Sequence, residues 1–447
     1  MKNAKALILT VGTGYINDLE TSLLTPLKKS ISKGEWKQVI LLPSQVTKQN
    51  AAELESMIGD KPMEVRPLPK AGQEDDADAC FHHFDSVIAG LLTAGFQNHN
   101  IVADFTRGTK AMSAALVLAS IRREVSALRY ITSLQRDERG QVLPGTEVIK
   151  EINPQIAITS ARLDTALRFI SHGAFAAAFE LLPDPSNSFI KLNWPEPVLP
   201  LMSAIRSMAQ FYVKWDKFDY KGAFSIASSS KKEWNEAKAK SQAWEKYFPV
   251  KEMLKWTQDL SASLTKGHRA KAPILRKMAA DILANAERRA RDGLFEDAAV
   301  RAYRIRELVA QIRLFERGID PDDISKDLAE LKETIDKLEK EGRSWHPGGG
   351  GKYQAGREKA ALLLRTMKDP LADELLDEPD SGILCSKSRN KSLLIHGFKI
   401  LGDMHNKKLQ KDFKVIETLL RKDDPENASE NLRQARLINF GVPVSSQ

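Results

Sequence analysis

Along the first 155 residues the spacing of apolar positions switches repeatedly between the strand and helix periods. "KALILTVG" is a short apolar run ending at glycine, the pattern of a buried strand entering a turn. In "DLETSLLTPLKKSI" the apolar residues Leu19, Leu23, Leu27 and Ile31 recur at helical spacing. "QVILLPS" and "MEVRPL" predict a second and a third strand, the latter ending at prolines. "DACFHHFDSVIAGLLTAG" predicts a helix stopped by Gly95, and "NIVADFT" a fourth strand. "KAMSAALVLASIRR" predicts a helix of small residues suited to close packing, and "VSALRYIT" a fifth strand. Strands alternating with helices predict an α/β domain with a doubly wound, mainly parallel, Rossmann-like sheet over 1–155.

After Pro154 the pattern is helical. "ARLDTALRFISHGAFAAAFELL" and "YKGAFSIASS" predict alanine- and leucine-rich helices, and no fixed period supports a repeat array. Region 156–265 reads as an all-α connector, with Trp194, Trp215, Trp234, Trp244 and Trp256 as packing anchors. From about residue 270 a long helical pattern is broken at Gly293 into a hairpin and ends at Gly318. Ile324, Leu328, Leu331, Ile335 and Leu338 repeat at four-three spacing and predict a packing seam. "WHPGGGGKYQ" predicts a flexible loop, and "LLIHGFKIL" and "FKVIETLLRK" further helix, giving an all-α domain over 266–447.

Composition narrows the class of protein. A chain of 447 residues with 42% hydrophobic content suggests two to four domains at roughly 100–200 residues each. Net charge is +8, compatible with a polyanionic ligand. Cys80 and Cys385 are too few for a disulfide framework or a zinc pattern, as expected of thiols in a reducing cytoplasm. The N-terminal "MKNAKALILTVGTG" lacks a signal-peptide pattern, and no apolar run reaches the ~18 residues of a membrane span. The expectation is a soluble cytoplasmic protein with no membrane partner.

Two groups of residues carry candidate chemistry. "LTVGTG" ends the first strand and "FTRGTK" the fourth, and open parallel sheets bind ligands beyond such strand ends. Gly12 and Gly14 permit tight turning and close approach. Thr10, Thr13, Thr106 and Thr109 supply hydroxyls, the following helices supply free amides, and Arg107 and Lys110 supply charge suited to phosphate. "GTGYIN" lacks the third glycine of the dinucleotide fingerprint, and no phosphate-loop motif occurs. The expectation is an anion-binding site of another kind.

The second group is "SKSRNKSLLIHG". On a helix, seven residues turn by about 700°, so Arg389 and His396 fall within roughly 20° of one stripe, about 10 Å apart along the axis. Asn390 flanks the stripe, and Leu393 and Leu394 give an apolar side. Arginine, asparagine and histidine can cleave RNA without a metal. Histidine serves as acid or base near neutrality. A guanidinium stabilises charge developing at phosphorus, and the 2′-hydroxyl is the nucleophile. Read alone, such a pair is commonly a capped or surface feature. His346 and the His82–His83 pair are other histidines without matching acids, and no carboxylate cluster argues for a metal enzyme.

Together and in this order, the two groups resemble the CRISPR-associated ribonucleases with an N-terminal CARF domain and a C-terminal HEPN domain. The CARF resemblance rests on "LTVGTG" and "DFTRGTKAMSAAL". Arg107 stands where the family commonly has a glycine, a change that bears on the preferred ligand. The HEPN resemblance rests on "RNKSLLIH" and on "FEDAAVRAYRIRELVAQIRL". The resemblance implies activation by cyclic oligoadenylate bound on the two-fold axis of a homodimer; the sequence does not set the ring size, and the expectation is the tetra-adenylate over the hexa-adenylate. It implies metal-independent cleavage of single-stranded RNA, with 2′,3′-cyclic phosphate ends and no cofactor. Arg389, Asn390 and His396 from both subunits would form the catalytic site. Thr10, Gly12, Thr13, Gly14, Thr106, Arg107, Gly108, Thr109 and Lys110 would line the sensor, with Ser44 a further candidate. Two alternatives stay open: a CARF ring nuclease that degrades cyclic oligoadenylate, and a non-enzymatic sensor with a helical partner-binding region.

Overall fold

The computed structural model describes residues 4–14, 18–59, 61–133, 135, 143, 145–184, 198–240, 242–261, 268–376 and 406–439. They form two compact units. One comprises residues 1–164 and 183–203, the other residues 165–182 and 204–447.

The first unit is built on a six-stranded sheet of order β3-β2-β1-β4-β5-β6. Its strands are β1 (Ala6–Val11), β2 (Gln38–Pro43), β3 (Met63–Val65), β4 (Ile101–Asp104), β5 (Ala127–Thr132) and β6 (Val148–Ile152). All neighbours are parallel except β5 and β6. Helices α1 (Thr25–Ser32) and α2 (Lys48–Ile58) cover one face. Helices α3 (Ala77–Thr93) and α4 (Lys110–Arg122) cover the other. Alternation along β1 explains the division. Leu7, Leu9 and Val11 pack with Leu23, Leu27 and Leu54, while Ala6 and Ile8 pack with Phe84, Ile88 and Leu116. The five predicted strands are all present. β6 and α2 are additions: β6 is an antiparallel edge strand that buries only Ile149, and α2 buries only Ala51 and Leu54.

The second unit is helical. After the end of α5 (Gln155–Ser171) come α6 (Phe175–Leu181), α7 (Leu199–Asp216), α8 (Tyr220–Lys240), the short α9 (Gln242–Glu245) and α10 (Lys251–Leu260). Trp215, Trp234 and Trp256 are buried as expected, Trp244 is half-buried, and Trp194 lies outside the described residues. A long hairpin follows, α11 (His268–Arg291) and α12 (Phe295–Glu316). Its turn uses Gly293 at φ +78°, and Gly318 at φ +77° ends α12. The remaining elements are α13 (Ala329–Lys340), α14 (Arg357–Thr366), α15 (Ala372–Leu376), α16 (Asn406–Asp423) and α17 (Ala428–Ala435).

The seam expected from Ile324 to Leu338 is shorter than its spacing suggests. The helix begins only at Ala329, because Ile324 instead pairs with Tyr353 in a β-bridge. The same bridge helps anchor the glycine-rich loop, whose Trp345 is buried and donates from Nε1 to the Gln354 carbonyl at 3.1 Å. Among the described residues no helix is long and apolar enough to cross a membrane.

Candidate functional site at the crossover of the sheet

The sheet order makes β1 and β4 neighbours, with successive strands leading away from them in opposite directions. Their carboxyl ends therefore define the switch point, where open α/β sheets present ligand sites. The loops after these strands are the two that carry the candidate residues.

They meet backbone to backbone. A Cβ placed on Gly12 would lie 2.8 Å from the amide nitrogen of Gly108, closer than side-chain carbons come to backbone. Gly108 sits at φ +126°, and a Cβ there would approach Thr10 Cβ at 3.2 Å and Met112 Cβ at 3.3 Å. Gly14 adopts φ +64° above Leu19 and Leu23. The glycines thus serve the approach of one loop to the other as well as the turn itself.

Thr10 is fully buried in β1, and its Oγ1 has no hydrogen-bond partner among the described residues. A buried unpaired hydroxyl costs about 1–3 kcal/mol. Thr13 is exposed, and Asn50 Nδ2, from the first turn of α2, donates to the carbonyls of Gly12 at 2.9 Å and Thr13 at 3.4 Å. Ser44 is buried, its amide and hydroxyl engaged with Thr47 Oγ1 at 2.8 and 3.2 Å. Thr47 in turn donates to the Val11 carbonyl at 2.9 Å. Ser44 therefore supports the first loop from beneath.

In the second loop, Thr106 ties the ends of β4 and β5 together. Its amide donates to Asp104 Oδ1 at 2.9 Å, its hydroxyl donates to the same carboxylate, and its Oγ1 accepts from the Ile131 amide at 2.9 Å. Asp104 is buried at the end of β4 and also accepts from Ser30 Oγ. Burial pushes its carboxyl above the ordinary range, opposed by the Ser30 and Thr106 hydrogen bonds and by the Arg129 charge. Thr109 caps α4, accepting from the Met112 amide at 3.2 Å and donating to the Glu74 carbonyl. Arg107 is half-buried, and Lys110, the first residue of α4, is exposed. Asn50, Thr47, Asp104 and Ser30 were not singled out by the sequence. Their partners lie 38, 36 and 74 residues away, beyond any local pattern.

In the helical unit, a buried charge cluster joins four segments. Arg313 Nε meets Asp369 Oδ1 at 2.8 Å, and its Nη1 meets Asp423 Oδ1 at 2.9 Å. Arg276 Nε meets Asp423 Oδ2 at 2.8 Å, and Arg317 reaches Asp369. Asp281 of α11 is fully buried and accepts from Trp215 Nε1 and Tyr220 Oη, both at 2.8 Å, and from Trp256 Nε1 at 3.4 Å. These contacts tie the described helices of this unit together, and Arg389, Asn390 and His396 fall within its residue range. Those three residues themselves lie outside the described residues.

Residues 268–423 match the model of the Csm6 HEPN domain family. No curated protein matches the chain by sequence. A solved structure of Enterococcus italicus Csm6 bound to cyclic hexa-2′-fluoro-hexa-dAMP aligns over 98% of this chain and 99% of its own, at 13% identity and TM-score 0.57. Can2 from Sulfobacillus thermosulfidooxidans, in complex with cyclic tetra-adenylate, aligns over 51% of this chain and 69% of its own, at 11% identity and TM-score 0.23, a likeness too slight to argue from. The helical unit thus carries the Csm6 HEPN signature over residues 268–423, and the chain shares the fold of Csm6 along its length.

Proposed function

We propose that this protein is a cyclic-oligoadenylate-activated, metal-independent endoribonuclease of type III CRISPR antiviral defence, acting on single-stranded RNA in the cytoplasm. The observation that carries the reading is the joining, in one chain, of a Csm6 HEPN segment with a switch-point site whose two glycine loops meet. The sensor occupies 1–155, the connector 156–265 and the ribonuclease domain 266–447. The activator lies on the two-fold axis of a homodimer, against the loops at Thr10–Gly14 and Thr106–Lys110. An isologous dimer supplies two copies of Arg389, Asn390 and His396 to one scissile phosphate.

His396 moves the proton between the 2′-hydroxyl and the leaving 5′-oxygen, Arg389 stabilises the charge growing on the phosphorane, and Asn390 donates to a phosphate oxygen. The product ends in a 2′,3′-cyclic phosphate. Ligand binding activates because the ligand has higher affinity for the active dimer than for the inactive one.

The test incubates labelled RNA with the protein in EDTA, with and without cyclic tetra- or hexa-adenylate, and compares His396→Ala. Wild type is expected to cleave only with ligand, more readily with the tetra-adenylate. His396→Ala is expected to lose about 10²–10⁴-fold in rate while retaining ligand binding. Equal cleavage by the variant sinks the assignment. Ligand consumption that survives His396→Ala and disappears in Lys110→Ala points instead to a ring nuclease. Ligand binding without RNA cleavage under any condition points to a sensor alone.

A further inference from the structure

Helix α16 carries its charges in an unusual arrangement. Leu409, Phe413, Ile416 and Leu420 are buried on one face. Lys407, Lys411 and Lys414 are exposed, and at 100° per residue they fall within about 60° of one another on the opposite face. Lys408 is exposed beside them. No carboxylate is recorded within ion-pair distance of these four among the described residues. Asp412, the acid in their midst, is buried. The other end of the same helix is different: Arg421 pairs with Glu417 at 2.8 Å and Lys422 with Glu374 at 2.7 Å.

Among the described residues the lysine face of α16 carries no acid. A face that only keeps a helix soluble mixes both signs. A local rule broken without a local gain points to function. The three aligned lysines span about 10 Å of helix axis, a length that covers two or three phosphates of an extended strand.

We propose that this lysine stripe is a docking track for the phosphate backbone of single-stranded RNA. The inference rests on the ribonuclease reading and adds to it the surface that holds the substrate. Contacts of this kind are electrostatic and independent of base sequence. The track therefore sets affinity and salt dependence, leaving base preference to other residues.

The test uses the full-length protein and a 2′-O-methyl oligoribonucleotide that cannot be cleaved. Binding is followed by fluorescence anisotropy between about 50 and 200 mM salt. The variant is Lys407→Glu/Lys411→Glu/Lys414→Glu. The control, Lys326→Glu/Lys332→Glu/Lys340→Glu, makes the same change in net charge at exposed lysines elsewhere in the helical unit. A Lys→Gln triple at 407, 411 and 414, checked by circular dichroism, guards against misfolding.

The stripe variant is expected to bind at least about tenfold more weakly at the low-salt end. The slope of log K against log salt should fall by about 2, or roughly 0.7 for each of three phosphates. In cleavage assays the loss should appear in KM. The glutamine triple should lie between the two, and the control should bind as wild type does. Unchanged binding by the stripe variant, or an equal loss in the control, overturns the proposal. If wild type cleaves no RNA yet the stripe variant alone loses binding, the track stands and the ribonuclease reading falls.

Discussion

Asp104 and Asp281 are both buried carboxyls that burial pushes to higher pKa, one in each compact unit, but they are held differently. Asp281 accepts from two indole N–H groups, fixed in direction by their rings on α7 and α10, and from a phenol on α8, which together staple those helices to α11. Asp104 accepts from the Ser30 hydroxyl, the Thr106 hydroxyl and the Thr106 amide. Two of its three donors can rotate, and two belong to a loop of the candidate ligand site. The first arrangement fixes a scaffold. The second leaves a loop able to re-form its bonds when a ligand arrives, because hydroxyls exchange partners at little cost while ring N–H groups cannot.

The contrast is broken most severely at Asp281. Asp281→Ala leaves two buried indole donors and a buried phenol without their acceptor, which should cost about 3–5 kcal/mol. Denaturant unfolding followed by tryptophan emission should show the helical transition moving to lower denaturant. Cyclic oligoadenylate affinity, measured on the folded fraction, should stay near wild type. A matching loss of ligand affinity would show that the two units do not hold their carboxyls independently.

A smaller effect is expected from Gly12→Ala. The new Cβ would press on the Gly108 backbone, and the strain should cost about 1–3 kcal/mol. Much of this should fall on ligand binding, at about tenfold for each 1.4 kcal/mol. Isothermal titration calorimetry with cyclic tetra-adenylate reads it directly, and wild-type affinity would show that loop contact does not shape the site.

The smallest expected effect is on pH dependence. Because the folded pKa of Asp104 lies above its unfolded value, the folded state holds the proton more tightly. Its contribution to stability therefore falls as pH rises from the unfolded value, about 4, through the folded one. Asp104→Asn should flatten that part of the stability profile. Melting temperatures measured across the acid range would show an unchanged slope if Asp104 were not responsible.

Much of this was legible in the sequence, for reasons that vary by element. The strands β1, β2 and β4 read clearly because parallel strands buried on both faces are continuous apolar runs. β6 did not, since only Ile149 among its five residues is buried. Gly12 and Gly108 were conspicuous as glycines in loops after strands, but a sequence read in one dimension could not show that they touch. Asp104 carried no sequence signal of its role, because its partner Ser30 on α1 lies 74 residues away. The seam at Ile324 was overextended for a related reason. Its spacing suits a helix, and the competing partner, Tyr353, lies in a loop past the next helix. The hairpin at Gly293 was legible because its signal is local.

The approach of Gly12 to Gly108 also makes the two loops a single mutational unit. A side chain at Gly12 presses on the Gly108 backbone, and one at Gly108 presses on Thr10 and Met112 at a φ of +126°, so libraries that vary one position at a time should recover mainly losses. Ligand preference at this candidate site is therefore better sought by varying both loops together, including the lengths that set how they meet. Relatives that exchange one glycine should carry a compensating change in the opposite loop.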